Sequence, residues 1–177
     1  MLKGEKVILR PLKRSDIDHF LRWWNDPEVI QYVNFHLPMT EMAEEKYIEN
    51  VSMSNTDVVF IIEALDDDNR PIGSIGLHGI SSKDHSCSFG IAIGEKTHWE
   101  KGYGTEAVRL IIDYGFNQLN LHRIGANVIA YNERCLRMLN TVGFQEDGRQ
   151  REAMFKNGEF HDVIMLGLLK DEWENSD

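Results

Sequence analysis

Apolar and polar residues change their period several times along this chain, and each change marks an element. The stretch EKVILRPL, Glu5 to Leu12, alternates, is rich in β-formers and is stopped by Pro11, which predicts a first strand. Ser15 followed by Asp18 resembles a capping box, and Ile17, Phe20, Leu21 and Trp24 then recur at helical spacing. Thr40 before EMAEEKYIENV reads as a second N-cap. Met42, Lys46 and Glu49 make no clean stripe, so that helix is expected to lie on the surface. DVVFIIEAL and IGSIGLHGI, separated by DDDNRP, read as two strands joined by a turn. HSCSFGIAI is a further strand, in which Gly90 predicts a bulge or a close backbone approach.

After Gly104 the period becomes 3.6, with Ala107, Leu110, Ile111, Tyr114 and Leu119 on one face. HRIGANVIAY returns to strand, and ERCLRMLNTVG is a short helix ended by Gly143. EAMFKNGEFHDVIMLGLL reads as a hairpin turning at Asn157-Gly158. The order β-α-α-β-β-β-α-β-α-β-β predicts an α+β fold with a mixed, mostly antiparallel sheet, not a doubly wound nucleotide fold. No repeat, low-complexity tract or linker interrupts it, so residues 1–177 are expected to form one domain.

Composition narrows the partners. The apolar share of 42% and the charged share of 27% belong to an ordinary globular chain. A net charge of −10 argues against a general nucleic-acid binder and is compatible with a cationic substrate. No apolar run reaches the roughly 20 residues of a membrane span, and the N-terminus lacks the features of a secretory signal, so a cytoplasmic location with no membrane partner is expected. Cys87 and Cys135 make neither a disulfide framework nor a metal site, and the seven histidines show no metal-ligand spacing, so no metal is expected.

The chemistry is concentrated in HWEKGYGTEA, His98 to Ala107, where two glycines precede the long helix. Gly102-x-Gly104-x-x-Ala107 fits the dinucleotide fingerprint, but eight residues separate it from its strand and no acidic residue lies between Asp113 and Glu133. No Walker-type string occurs. A loop that needed two small residues to turn into a helix is a third reading. A strand, a loop ending Lys-Gly-Tyr-Gly-Thr and an amphipathic helix together present unpaired N–H groups that suit a phosphate or pyrophosphate, with Lys101 adding charge.

This loop resembles the Arg/Gln-x-x-Gly-x-Gly/Ala pyrophosphate loop of the GNAT N-acetyltransferases, on Trp99, Glu100, Lys101, Gly102, Tyr103 and Gly104, followed by Thr105, Glu106 and Ala107. Trp99 departs from the usual Arg or Gln. LHRIGANVIAYNERCLRMLNTVGF is similar to the family's next strand and helix: Asn132, Leu139, Gly143 and Phe144 match, with Cys135 for Ser and Thr141 for Lys. The opening ILRPLKRSDIDHFLRWWNDPEV and the ending GRQREAMFKNGEFHDVIMLGLLKDEW resemble the Rim-type ribosomal-protein N-terminal acetyltransferase subgroup. The resemblance implies a GNAT fold of about six to seven twisted strands flanked by four helices, with a cofactor cleft splayed between strands 4 and 5.

It also implies direct transfer from acetyl-CoA, as co-substrate, to a primary amine. Ile91, Ala92 and Ile93 would pair with the pantetheine amides, and the loop from Trp99 to Thr105 would hold the phosphates. Asn132 is a further cofactor contact, or simply an N-cap. Cys135 would meet the CoA sulfur as a weak donor, or serve as a small buried hydrophobe. The family often carries Glu two residues before the glycine of strand 4. Ser88 stands there and could only position a water, which leaves His85 and His78 as candidate bases. A protein N-terminus, with a pKa of about 8, needs less help than a polyamine amine near 10.

A protein or peptide N-terminus is therefore the expected acceptor, with spermidine or another small amine as the alternative. Leu139 stands where spermidine acetyltransferases carry Tyr, while Glu41, Glu44, Glu45 and Glu49 could attract a polyamine. Trp23, Trp24, Tyr32 and Phe35 are candidates for the acceptor pocket. A non-catalytic acyl-CoA sensor is the reading from another class. The edge of the C-terminal hairpin is available for pairing in a homodimer.

Overall fold

The computed structural model describes residues 1–34 and 38–175. One eight-stranded sheet runs through it in the order β1-β2-β3-β4-β5-β6-β8-β7. The strands are β1 (Leu2–Lys3), β2 (Val7–Pro11), β3 (Val58–Ala64), β4 (Arg70–Ser81), β5 (Ser86–Ile93), β6 (Arg123–Ile129), β7 (Gln145–Lys156) and β8 (Glu159–Leu169). The helices are α1 (Ile17–Trp24), α2 (Pro27–Ile30), α3 (Glu41–Met53), α4 (Tyr103–Asn117), α5 (Glu133–Val142) and α6 (Lys170–Glu174). Only β5 and β6 are parallel, and α4 makes the crossover between them. No helix among the described residues is long and apolar enough to cross a membrane.

Successive strand residues serve opposite faces. Ile62 joins a core made with Ala107, Val108, Ile111 and Ile112 of α4 and Leu139 and Val142 of α5. Its neighbour Ile61 joins a second core with Phe20, Trp23 and Trp24 of α1 and Ile48 of α3. The sheet is thus a shared wall between two helical layers.

Three elements go beyond the sequence expectation. β1 adds an eighth strand through Leu2↔Leu9, while α2 and α6 are each little more than one turn, too short to show a period. The start of α2 did carry a local signal: Asp26 accepts from the Glu28 N–H, and Pro27 occupies the first turn. The capping box expected at Ser15 and Asp18 is absent. Ser15 lies in a short 3-10 turn, Arg14–Asp16, and the Asp16 carboxylate instead accepts from the Lys13 N–H and from the buried Arg10 guanidinium at 2.7 and 2.8 Å. No bulge falls at Gly90 either, because the β4–β5 register runs unbroken through Gly76↔Gly90 and shifts only after His78. At the far edge of the sheet, β7 pairs only with β8.

Thr40 caps α3 as expected, and the helix is largely exposed, but Glu44 and Ile48, one turn apart, are buried. Glu44 is 2% exposed, and its Oε2 accepts no hydrogen bond. Burial alone pushes its carboxyl from 4.5 up to about 7. A carboxyl whose folded value is raised binds its proton more tightly in the native state, so stability is full below 4.5 and declines as pH rises towards 7. Glu44→Gln should therefore stabilise the protein more at pH 8 than at pH 5. Urea unfolding at the two pH values checks this, and an equal effect at both would show that Glu44 is ionised and satisfied throughout.

Candidate active site

The two parallel strands diverge almost at once. β5 and β6 share only the pairs Ser86↔Arg123, Cys87↔Ile124 and Ser88↔Gly125. Beyond them β5 stays with β4 as far as Ile93, and β6 stays with β8 as far as Ile129. A cleft of about 660 Å³ opens in the wedge, within the range of about 300–1,000 Å³ usual for ligand sites. Its walls are β5 from Phe89 to Ile93 and β6 from Ala126 to Ile129. This is the divergence expected between strands 4 and 5, which become β5 and β6 once β1 is counted.

At the β5 end of the wedge the chain turns into α4 through a strained loop. Gly102 has φ 90° and Glu100 has φ 59°, so the N-cap of α4 is a left-handed glycine with no side chain to cover the first turn. At Gly104 a Cβ would lie at ordinary contact distance, 3.4 Å, from the Met138 sulfur of α5. Of the loop residues singled out in the sequence, Trp99, Glu100, Gly102, Gly104 and Thr105 line the cleft, as do Ile91, Ala92 and Ile93. Lys101 and Tyr103 do not. Lys101 is exposed, and Tyr103 is buried with its hydroxyl donating to Asp66 at 2.7–2.8 Å.

Trp99 replaces the usual loop side chain with a different arrangement. Its indole N–H donates to the Ile93 carbonyl at 2.7 Å, so that carbonyl already has a partner. The Arg134 guanidinium of α5 lies 4.2 Å from the Trp99 ring centroid and 5.6 Å from that of Tyr32. Arg134 is the one Lys or Arg among the described lining residues. A second unforeseen cation is Lys6, whose ammonium donates to the Lys101 carbonyl at 3.0 Å and lies 3.4 Å from where a Gly102 Cβ would be. Lys6 is held there because the Glu106 carboxylate of α4 accepts the backbone N–H groups of Glu5, Lys6 and Val7, each at 2.8 Å. No local pattern could have announced these contacts, which join residues about a hundred positions apart.

On the β6 side, Asn132 and Cys135 both line the cleft. The Asn132 side-chain Oδ1 accepts the Cys135 N–H at 3.2 Å, so the residue is an N-cap as well as a lining residue. Burial pushes the Cys135 thiol up to about 11, against a smaller opposing pull from Arg134.

Ser88 and His85 lie outside the lining. His85, at φ 50°, sits where β5 begins, with its ring Nδ1 3.1 Å from the Asn120 carbonyl and its own carbonyl taking the His122 and Arg123 N–H groups. Ser88 is exposed and is the cross-strand partner of His78, which does line the cleft. The His78 Nδ1 is 3.2 Å from Asp57. Trp24 and Tyr32 are lining residues, Trp23 is core, and Phe35 lies outside the described residues. The segment carrying Tyr32 is pinned from across the cleft: the Tyr131 hydroxyl donates to the Gln31 carbonyl, and Lys156 to that of Val33 at 2.9 Å.

Comparison with known proteins identifies this arrangement. Residues 6–145 match the family model described as an acetyltransferase (GNAT) domain. An uncharacterized N-acetyltransferase of Bacillus licheniformis, p20, is 34% identical, with 97% of each chain covered. YdaF of Bacillus subtilis (strain 168), whose name proposes a ribosomal N-acetyltransferase, is 33% identical over 60% of this chain and 58% of its own. The crystal structure of spermidine N-acetyltransferase from Vibrio cholerae, in complex with CoA and spermine, superposes with a TM-score of 0.90 at 26% identity, covering 97% of this chain and 100% of that one.

The raised thiol of Cys135 makes a direct prediction. At pH 8 a thiol near 11 carries about a hundredfold less thiolate than one at 9.0. Iodoacetamide should therefore label Cys135 in the folded protein at least about a hundredfold more slowly than in urea. Peptide mass spectrometry over a time course reads the two rates; similar rates would make Cys135 an open thiolate and a candidate nucleophile.

Proposed function

The chain belongs to the GNAT acetyltransferase family, and on that premise we propose that residues 1–177 act as one domain that acetylates the free N-terminus of a protein or peptide. Acetyl-CoA-dependent N-acetyl transfer is the activity of the family; the acceptor is inferred from the cleft. The observation that carries it is the charge of the cleft wall. Glu100, at the loop before α4, is the one carboxylate among the described lining residues. Away from that loop the wall is built from such residues as Trp24, Val29, Tyr32, Tyr47, Val59 and Met154.

A polyamine needs anionic partners for the ammonium groups remote from its reacting nitrogen. Glu41, Glu45 and Glu49 of α3 are exposed and outside the lining, and Glu44 is buried without lining it. A peptide N-terminus brings one amine and apolar or small side chains, which a largely aromatic and apolar wall with no carboxylate away from the loop accommodates. Spermidine is the competing acceptor, favoured by the backbone likeness to the Vibrio cholerae enzyme.

The residues present fit acetyl-CoA. Gly102 and Gly104 leave the first-turn N–H groups of α4 open to phosphate oxygens at the positive end of the helix dipole, where a Cβ would intrude. Lys6 and Lys101 flank that turn with positive charge. β5 from Phe89 onward has no strand on its β6 side, so its backbone groups can pair with the pantetheine amides as a strand would, and a β5 N–H can polarise the thioester carbonyl. When bound, acetyl-CoA supplies an acetyl group activated as a thioester. Cys135, on the opposite wall, offers a weak S–H donor to the sulfur. The reading carries with it a cytoplasmic location.

Thiol release from acetyl-CoA, measured with an Ala- or Ser-initiated peptide and with spermidine side by side, tests the acceptor. The peptide should be used with kcat/KM at least about tenfold higher, a difference of about 1.4 kcal/mol in transition-state binding. Faster turnover of spermidine would overturn the N-terminal reading and leave the family assignment intact.

A further inference from the structure

β4 and β5 present a pair of facing glycines, Gly76↔Gly90, in the wall of the cleft. Side chains alternate along a strand, so His78 lies on the same face of β4 as Gly76. Its imidazole occupies the space the two glycines leave open. A Cβ at Gly76 would lie 2.7 Å from Nε2, and one at Gly90 would lie 3.9 Å from the same atom. The ring is thus laid back along the sheet towards the open part of β5. Leu77, between Gly76 and His78, is in the α4 core, which puts the imidazole on the α1–α3 face with Tyr47 and Trp24.

The other ring nitrogen is held. Nδ1 is 3.2 Å from Asp57, at the entry to β3. Asp57 in turn accepts from the Ser54 hydroxyl at 2.7 Å, the Thr56 hydroxyl at 2.9 Å and the Gly79 N–H at 3.3 Å. The Ser54 bond, followed by the Thr56, Gly79 and His78 bonds, holds its carboxyl below the usual range against the opposing effect of burial. The groups facing this pair are few. α3 brings Tyr47, whose hydroxyl is pushed up to about 12 by burial and then by the charges of Glu44 and Asp57, with Glu44 itself titrating at about 7, and β5 brings Ser88 and Gly90, which do not titrate near neutrality.

We infer that His78 is the general base of acetyl transfer, with Nε2 receiving the proton of the acceptor amine, and that Asp57 is the positioning residue that fixes the ring. The inference rests on the acetyltransferase reading but not on which amine is used. As the amine nitrogen bonds to the thioester carbon, Nε2 takes the proton that nitrogen loses, and Asp57 stabilises the imidazolium. The carbon–sulfur bond breaks, and the proton passes on to the departing sulfur, so the products are an amide and a thiol. His78 thereby takes the role for which Ser88, its cross-strand partner, lacks the chemistry.

The test uses whichever acceptor the wild type turns over faster, which separates it from the choice between peptide and spermidine. His78→Gln should lower kcat/KM at pH 7 by about 10²–10⁴-fold and abolish the acidic limb of the pH profile. CoA affinity by titration calorimetry should stay within about twofold of wild type, because the ring does not hold the phosphates. Asp57→Asn should lower kcat about tenfold or more while leaving the KM for the amine within about twofold, since the ring is no longer held for proton transfer. Added imidazole should restore part of the activity of His78→Gly. A His78→Gln enzyme that keeps the wild-type profile within threefold would overturn the inference, as would a loss of activity matched by a loss of CoA binding. A wild type that turns over no amine would overturn the acetyltransferase reading instead.

Discussion

The short shared ladder of β5 and β6 is the constraint on which the rest depends. Three residue pairs tie the strands together, and from Gly125 onward each keeps only its antiparallel partner. An unpaired strand edge inside a fold is costly unless something covers it. Here it forms the wall of a cleft, where a ligand carrying amides can complete the ladder. The same divergence separates α4 from α5 at their N-termini, so Gly102 on one side and Asn132 on the other face one opening.

Several small residues around the wedge are explained by what must come close to them. Gly102 is needed for its left-handed φ of 90°, and Gly76 admits the His78 ring, whose Nε2 would lie 2.7 Å from a Cβ there. Gly94 belongs to the same group, since a Cβ there would fall 2.1 Å from the Trp23 ring. Gly76 and Gly94 thus let ring side chains approach the backbone more closely than a larger residue would permit.

Charge is arranged asymmetrically about the cleft. Although the chain carries a net −10, Lys6, Lys101 and Arg134 gather near the loop before α4, while the acidic side chains of α3 face solvent or are buried against the neighbouring layer. Net charge therefore says little about what the cleft binds, because the side chains that set it are mostly elsewhere. The expectation of a cationic substrate drawn from that net charge gains no support from the described wall.

Much of the fold was legible residue by residue. The apolar, β-branched run VVFIIEA, the switch to period 3.6 after Gly104, the N-caps at Thr40 and Asn132 and the Asn157-Gly158 turn, where both residues have positive φ, are written by near neighbours in the chain. The turn into α4 was legible for the same reason, because a left-handed glycine and an uncapped helix start are local events. Elements of one turn, such as α2, and a two-residue strand such as β1 were not, being shorter than the period that reveals them. The site's other half belonged to the tertiary structure alone. Lys6 reaches Gly102, Arg134 reaches Trp99, and Asp57 reaches His78 because strand register and helix packing bring them together. His85 and His78 look alike in the sequence, and only the register of β4 against β5, with two glycines beside one of them, decided which imidazole faces the cleft.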